Sequence, residues 1–249
     1  MSPTSELPRT SEAGRVVVVA TPIGNLGDLS PRAVAALAGS SYIYCEDTRR
    51  TLKLLSHAGI SGPRLVPHHA HNEAASTASA LRHLREGATI AVVSDAGTPA
   101  VSDPGARLVR EAVAGGFQVE AVPGPSAVLA ALVVSGLAGE RWCFEGFLPR
   151  TGSRRAQRLE ALAREERTSV LFESPHRLQR TLDDLVATCG SERPLALCRE
   201  LTKLHEETWR STLGDIAERC RAVKPRGEYV LVLGPAGTSE EETELPGGS

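Results

Sequence analysis

Aromatic residues make up only 4% of the 249-residue chain, and methionine occurs once. So few rings are claimed first by a core. Trp142, Phe144 and Phe147 alternate along a strand-like run where packing is the expected use and base stacking its rival. The five cysteines (Cys45, Cys143, Cys189, Cys198 and Cys220) lie far apart with no C-x-x-C pair. This argues against a disulfide framework or a zinc finger and predicts free thiols in a cytoplasmic protein. No apolar run approaches the roughly 20 residues of a membrane span. The first 14 residues are polar, with Pro, Ser and Glu, unlike a secretory leader, so a soluble protein is expected. G-x-G-x-x-G and the G-K-[ST] of a phosphate loop are both missing, which counts against a nucleotide-dependent dehydrogenase or a triphosphate enzyme. His68, His69 and His71 with Glu73 crowd one short run without H-x-x-x-H or H-E-x-x-H spacing, and no metal is expected there.

Hydrophobic content of 41% is ample for real cores at this length. The net charge of −2 hides an asymmetry, since residues 238–249 carry four Glu and no base. Between residues 141 and 180, nine arginines face five acids. Such a stretch suits phosphate contacts, although an ordinary solvated helix face gives the same composition. Arg154, Arg155 and Arg177 are the candidates for RNA binding.

Short apolar runs alternate with helical patterns. Strands are predicted at 16–20, 42–45, 64–67, 89–94 and 119–122, and helices from Ser30-Pro31 and over 48–57, 74–85 and 106–114. This βα rhythm predicts a helix-covered parallel sheet. Pro123-Gly-Pro-Ser126 interrupts it. Beyond that point helices over 126–135, 153–164, 175–189 and 215–222 mix with strands at 142–147, 169–172, 195–198, 206–212 and 229–233. The expectation is two α/β domains with mixed, mostly parallel sheets, 15–123 and 124–236, and disordered tails at 1–14 and 237–249.

The densest loop follows the fourth strand. Ser94-Asp-Ala-Gly-Thr-Pro-Ala-Val-Ser-Asp-Pro-Gly105 combines glycines that let backbone approach a ligand with prolines that hold shape. Asp95, Ser102 and Asp103 leave acceptors outward, better matched to a cationic or hydroxyl-bearing ligand than to phosphate. The first loop, Thr21-Pro-Ile-Gly-Asn-Leu-Gly-Asp, occupies the carboxyl end of a strand, where open α/β sheets bind ligands.

With Cys45-Glu-Asp-Thr-Arg-Arg, His69-Ala-His-Asn-Glu, Val122-Pro-Gly-Pro-Ser-Ala, Phe172-Glu-Ser-Pro-His-Arg and Cys198-Arg-Glu-Leu-Thr-Lys, these loops form an ordered set from residue 16 to about 235. The chain resembles the tetrapyrrole methylase superfamily, and within it the branch that 2′-O-methylates a cytidine of 16S rRNA in the small ribosomal subunit. The resemblance implies S-adenosyl-L-methionine held in a cleft between two domains, a homodimer, and no membrane. It implies cofactor contacts at Pro22, Gly97, Thr98, Val101, Ser126 and Ala127, with Phe172 beside the adenine. Many relatives continue into a small helical segment where this chain has only an acidic tail.

A neutral 2′-hydroxyl is a poor nucleophile, and a proton acceptor would add about 10²- to 10⁴-fold. The candidates are Glu46, Asp95 and Lys203, with Asp47, Glu173 and His176 behind them. Each has a structural rival: Asp47 as a helix cap, Glu46 paired with Arg49 or Arg50, Asp95 holding its own loop, Lys203 as a phosphate-gripping cation. Two other activities fit the same residues less well: methylation of a precorrin-type ring carbon, and RNA binding by an assembly factor without catalysis.

Overall fold

The computed structural model describes residues 14–237. But for Gly14 and Gly237, the two expected tails lie outside the described residues. The chain divides into two compact units, the first ending at Pro125 and the second beginning at Ser126.

In the first unit, β1 (Arg15–Val19), α1 (Pro31–Ala38), β2 (Tyr42–Cys45), α2 (Thr48–His57), β3 (Arg64–Pro67), α3 (Glu73–Arg85), β4 (Thr89–Val92), α4 (Ala106–Ala114) and β5 (Gln118–Val122) follow in order. Ser30 starts α1 by accepting the Ala33 N–H at 3.1 Å, and Pro31 at the first helical position loses no bond it needs. The five strands are all parallel, in the order β3-β2-β4-β1-β5. Both faces of β1 are covered, which is why it reads as an unbroken valine run. Val17 and Val19 pack with Ala33 and Leu37 of α1 and Leu55 of α2. Val16 packs with Ala80 and Leu84 of α3 and Leu108 and Ala112 of α4 on the other face.

That division follows from right-handed crossovers. The chain leaves β1 and β2 toward one edge of the sheet and returns from β3 and β4 toward the other, so the helices split between the faces. β4 lies between β2 and β1, whose connections leave on the opposite face from its own. A crevice therefore opens at the carboxyl end of β4.

The second unit contains α5 (Ala127–Ser135), β6 (Trp142–Phe147), α6 (Ser153–Ala163), β7 (Thr168–Glu173), α7 (Leu178–Cys189), β8 (Pro194–Arg199), β9 (Glu207–Thr212), α8 (Leu213–Arg221) and β10 (Tyr229–Leu233). Its sheet runs β6-β7-β10-β8-β9. This is the mixed sheet of the pair: only β6 and β7 pair parallel, and the other three pairs are antiparallel. The α7 crossover leaves a gap between β7 and β8, which run the same way, and β10 later fills that gap against both. The 200–206 loop is too short for a crossover helix, so β9 returns antiparallel to β8. Leucines of β7, β8 and β10 pack against α6, α7 and α8 on one face, while α5 lies along the sheet at β10 and β8.

Candidate functional site

The loops after β1, β2 and β4 meet at the crevice of the first unit. Thr21 and Gly97 exchange both backbone hydrogen bonds, 2.9 and 3.0 Å, and the Thr21 hydroxyl donates to Ser94 O at 3.3 Å. Gly97 has φ +80°, and a Cβ there would stand 3.3 Å from Ile23 Cγ2; both the conformation and the close approach call for glycine. Thr98 donates its hydroxyl to Pro125 O at 3.3 Å. Farther along, Ala100 and Ser102 hold left-handed φ values of 68° and 62°. Such strain in non-glycine residues is retained where surrounding structure imposes it, and ligand loops are common places for it.

This loop gathers acids. Asp95 accepts the Asp47 N–H at 3.0 Å and lies 3.4 Å from an Arg50 guanidinium nitrogen. Asp47 caps α2, accepting the Arg49 N–H at 2.8 Å, and the Arg49 bond holds its carboxyl below the usual range. Glu46 is pushed upward by burial and then by the charge of Asp95. Asp103 rises to about 6 because it is buried and faces the charges of Glu46 and Asp95. Among the sequence candidates Asp103 ranked only as an outward acceptor. Its signal was local, the second Ser-Asp of the loop, but its desolvation was not.

A cavity of about 280 Å³ opens beside α2. Thr21, Pro22, Ser94 and Asp95 line it, with Leu54, Leu26, Arg50 and Lys53 toward solvent. Pro22 thus joins the β1 loop to Asp95 in one concavity, whereas Val101 is exposed on the β4 loop.

The second unit arranges its predicted residues differently. Ser126 caps α5 by accepting the Leu129 N–H at 3.4 Å, and Ala127 is the first helical residue. Phe172 contacts Phe144 at 5.0 Å and Phe147 at 5.6 Å between ring centroids. A bulge between Phe144 and Gly146 brings both β6 rings to the same neighbour.

Two of the arginines predicted to bind RNA are committed elsewhere. Arg155 is 4% exposed and donates to Asp184 at 2.8 Å, Pro149 O at 3.0 Å and Thr181 at 3.0 Å. Thr181 in turn donates to Glu173 at 2.6 Å. Arg177 bonds Leu148 O at 2.6 Å and lies 3.3 Å from Glu173. These side chains knit a buried network, so Arg155 cannot present its guanidinium to a phosphate and Glu173 is no free base. Helical spacing already carried the warning: Arg155, Leu159 and Leu162 fall at i, i+4 and i+7 on one stripe. Arg154 is exposed, as is His176.

Lys203 is also corrected as a base. Burial alone would lower its pKa, but hydrogen bonds to Glu200 at 2.8 Å and Glu228 at 2.9 Å outweigh it, and the net shift is upward. It stays an ammonium.

His68 turns inward, its Nδ1 2.6 Å from Ser76 Oγ and its ring edge-on to Tyr44. No helix among the described residues is long and apolar enough to cross a membrane.

Residues 15–217 match the family model for Tetrapyrrole (Corrin/Porphyrin) Methylases. The chain is 48% identical over 229 residues to a "Ribosomal RNA small subunit methyltransferase I" of Synechocystis, covering 92% of this chain and 81% of that protein. It is 50% identical over 234 residues to a protein of the same name from Mycobacterium tuberculosis, covering 94% and 82%. In fold it is similar to uroporphyrin-III C-methyl transferase from Thermus thermophilus, solved with S-adenyl homocysteine, at a TM-score of 0.62 and 22% identity, covering 89% and 97%.

Proposed function

The chain belongs to the tetrapyrrole methylase family, and from that premise we propose that it is an S-adenosyl-L-methionine-dependent methyltransferase acting on ribosomal RNA. The observation that carries the choice of substrate is the 48–50% identity to ribosomal RNA methyltransferases over more than nine-tenths of the chain, against 22% to a porphyrinoid enzyme of like fold. The finer reading is transfer to the 2′-hydroxyl of a cytidine in 16S rRNA, by a homodimer in the cytoplasm.

The residues at the β4 crevice fit the cofactor. Three carboxyl groups, Glu46, Asp95 and Asp103, suit a ligand bearing an ammonium and a sulfonium and would repel a polyphosphate. Gly97 lets the β4 loop pack against Ile23, where a Cβ would stand 3.3 Å from Cγ2, and so keeps the bridge to Thr21 closed. Pro22, Gly97, Thr98 and Val101 would hold the cofactor in the first unit. For Ser126, Ala127 and Phe172 of the second unit the same role is proposed, tested by calorimetric affinity of Phe172→Ala. When bound, the sulfonium supplies an electrophilic methyl group.

What the chain itself contributes is alignment and a place for a proton. In-line displacement depends on orientation, worth about 7–11 kcal/mol when reactants are well placed. The Thr21–Gly97 bridge and the Thr98–Pro125 bond fix the crevice that does the orienting. The proton released by the ribose hydroxyl needs an acceptor poised near neutral pH. Asp103, at about 6, is closest to that condition, with Glu46 and Asp95 as its charged neighbours.

Incubating the protein with methyl-labelled cofactor and either unmodified small-subunit rRNA or precorrin tests the reading. Label in RNA, mapped by mass to a cytidine ribose, is expected. Label in the porphyrinoid alone, or RNA binding without calorimetric uptake of the cofactor, overturns it.

A further inference from the structure

Resting on that reading, we propose that the cavity beside α2 seats one nucleotide of a single-stranded RNA, with Arg50 and Lys53 taking its phosphate. From Thr48 to His57 this helix carries Arg49, Arg50 and Lys53 and no acid. The three cations are not equally engaged. Asp47 neutralises Arg49 at 3.1 Å, and Arg50 shares Asp95 at 3.4 Å. Lys53 makes no ion pair among the described residues, and it borders the cavity.

The lining grades from inside to outside. Thr21 and Ser94 are buried at 2% and 4% exposure, with their hydroxyls donated to backbone carbonyls of the same loops, and Asp95 adds a carboxylate acceptor beside them. Pro22, Leu26 and Leu54 supply apolar surface for a sugar or base face, and Leu26 is 45% exposed despite its size. Arg50 and Lys53 then form a cationic border open to solvent. A polar inner end, an apolar wall and a positive rim match the three parts of a nucleotide; Pro22 and Asp95 at the inner end border the methyl donor as well, whose cationic centres are repelled by the rim, so donor and nucleotide are neighbours rather than rivals. A polyanion gains from releasing its counterions on approaching such cations.

This surface differs from the Arg-rich stretch of the second unit, where Arg155 and Arg177 are tied into a buried network. It explains how a chain of net charge −2 can meet RNA: the favourable field is local to one helix.

The test measures binding of a fluorescein-labelled mixed-sequence single-stranded RNA by anisotropy from 50 to 300 mM salt. For Arg50→Gln with Lys53→Gln, the expected result is about tenfold weaker binding at low salt and a log–log salt slope shallower by about 1.4, since single strands release about 0.7 counterion per contact. Lys53→Gln alone breaks no ion pair and is expected to flatten the slope by about 0.7. Its calorimetric affinity for S-adenosylmethionine is expected to be unchanged. Arg85→Gln with Arg110→Gln, on helices packed against the other face of the sheet, removes the same charge as a control. A slope that changes equally in the control, or in neither, overturns the surface, even if the wild type methylates RNA. Wild-type RNA binding with the expected slopes but no methyl transfer supports the surface and overturns the function proposed above.

Discussion

Asp95, at the end of β4, accepts the backbone N–H of Asp47, at the end of β2, across 3.0 Å. One carboxylate thereby joins two neighbouring strand ends and leaves its second oxygen to Arg50. Asp95→Ala should cost about 1–2 kcal/mol, because it removes a charge-assisted bond and strands a partly buried N–H. Asp95→Asn keeps an oxygen for Asp47 and is expected to recover most of that loss. It removes the negative charge, so cofactor affinity should fall in both variants. Urea melts read against calorimetry separate the effects; equal stability loss in Asn and Ala would show that the bond does not bear on folding.

Asp103 ties stability to pH. Its folded value of about 6 lies above the 3.8 of an unperturbed aspartate, so the folded chain holds a proton that the unfolded chain has released. The contribution is therefore best below pH 3.8, declines as pH rises to about 6, and is level above. Asp103→Asn abolishes that decline, so its melting temperature should gain on the wild type between pH 4 and 6.5. If Asp103 accepts the ribose proton, the single-turnover rate of the wild type rises with a midpoint near 6 and the variant loses that limb. A limb retained in Asp103→Asn would assign the proton to another group.

Lys203 should behave as a structural cation. Its raised pKa gives stability that is fully present below the value of a free lysine and is lost only as pH climbs through the folded value. Lys203→Met should lower stability at neutral pH while the rate profile between pH 6 and 9 keeps its shape. A missing limb in that window would restore Lys203 as a base.

Adjacent arginines on α6 should give opposite results. Arg155→Ala leaves Asp184, Thr181 and the Pro149 carbonyl without their donor, at a cost of about 3 kcal/mol. Arg154→Ala, on the exposed side, should change stability by less than about 0.5 kcal/mol. Chemical denaturation of the two single variants checks this. Similar midpoints would mean that the buried network is replaced by water without penalty.

Much of this was legible in one dimension. Alternation of β-branched runs with helical stripes located nearly every element to within a residue or two, because strand and helix periods are local properties of the chain. Ser30 and Asp47 announced their helices for the same reason, since a cap acts on the N–H groups two or three residues away. The loop from Ser94 to Gly105 stood out in sequence by its own glycines, prolines and acids.

Strand neighbours and electrostatic surroundings were decided elsewhere. β10 enters between β7 and β8, and β1 between β4 and β5. Nothing within those five-residue segments states it, because pairing is settled by what distant helices bury. Arg154 and Arg155 are the same residue type side by side, yet one meets water and the other Asp184. Asp95 and Asp103 both follow a serine in one loop, and only packing gives Asp103 its high affinity for a proton. Residue order thus determined the periodic elements and the chemical alphabet of the site. Tertiary structure alone decided which of those charges are desolvated, since desolvation depends on atoms contributed from far along the chain.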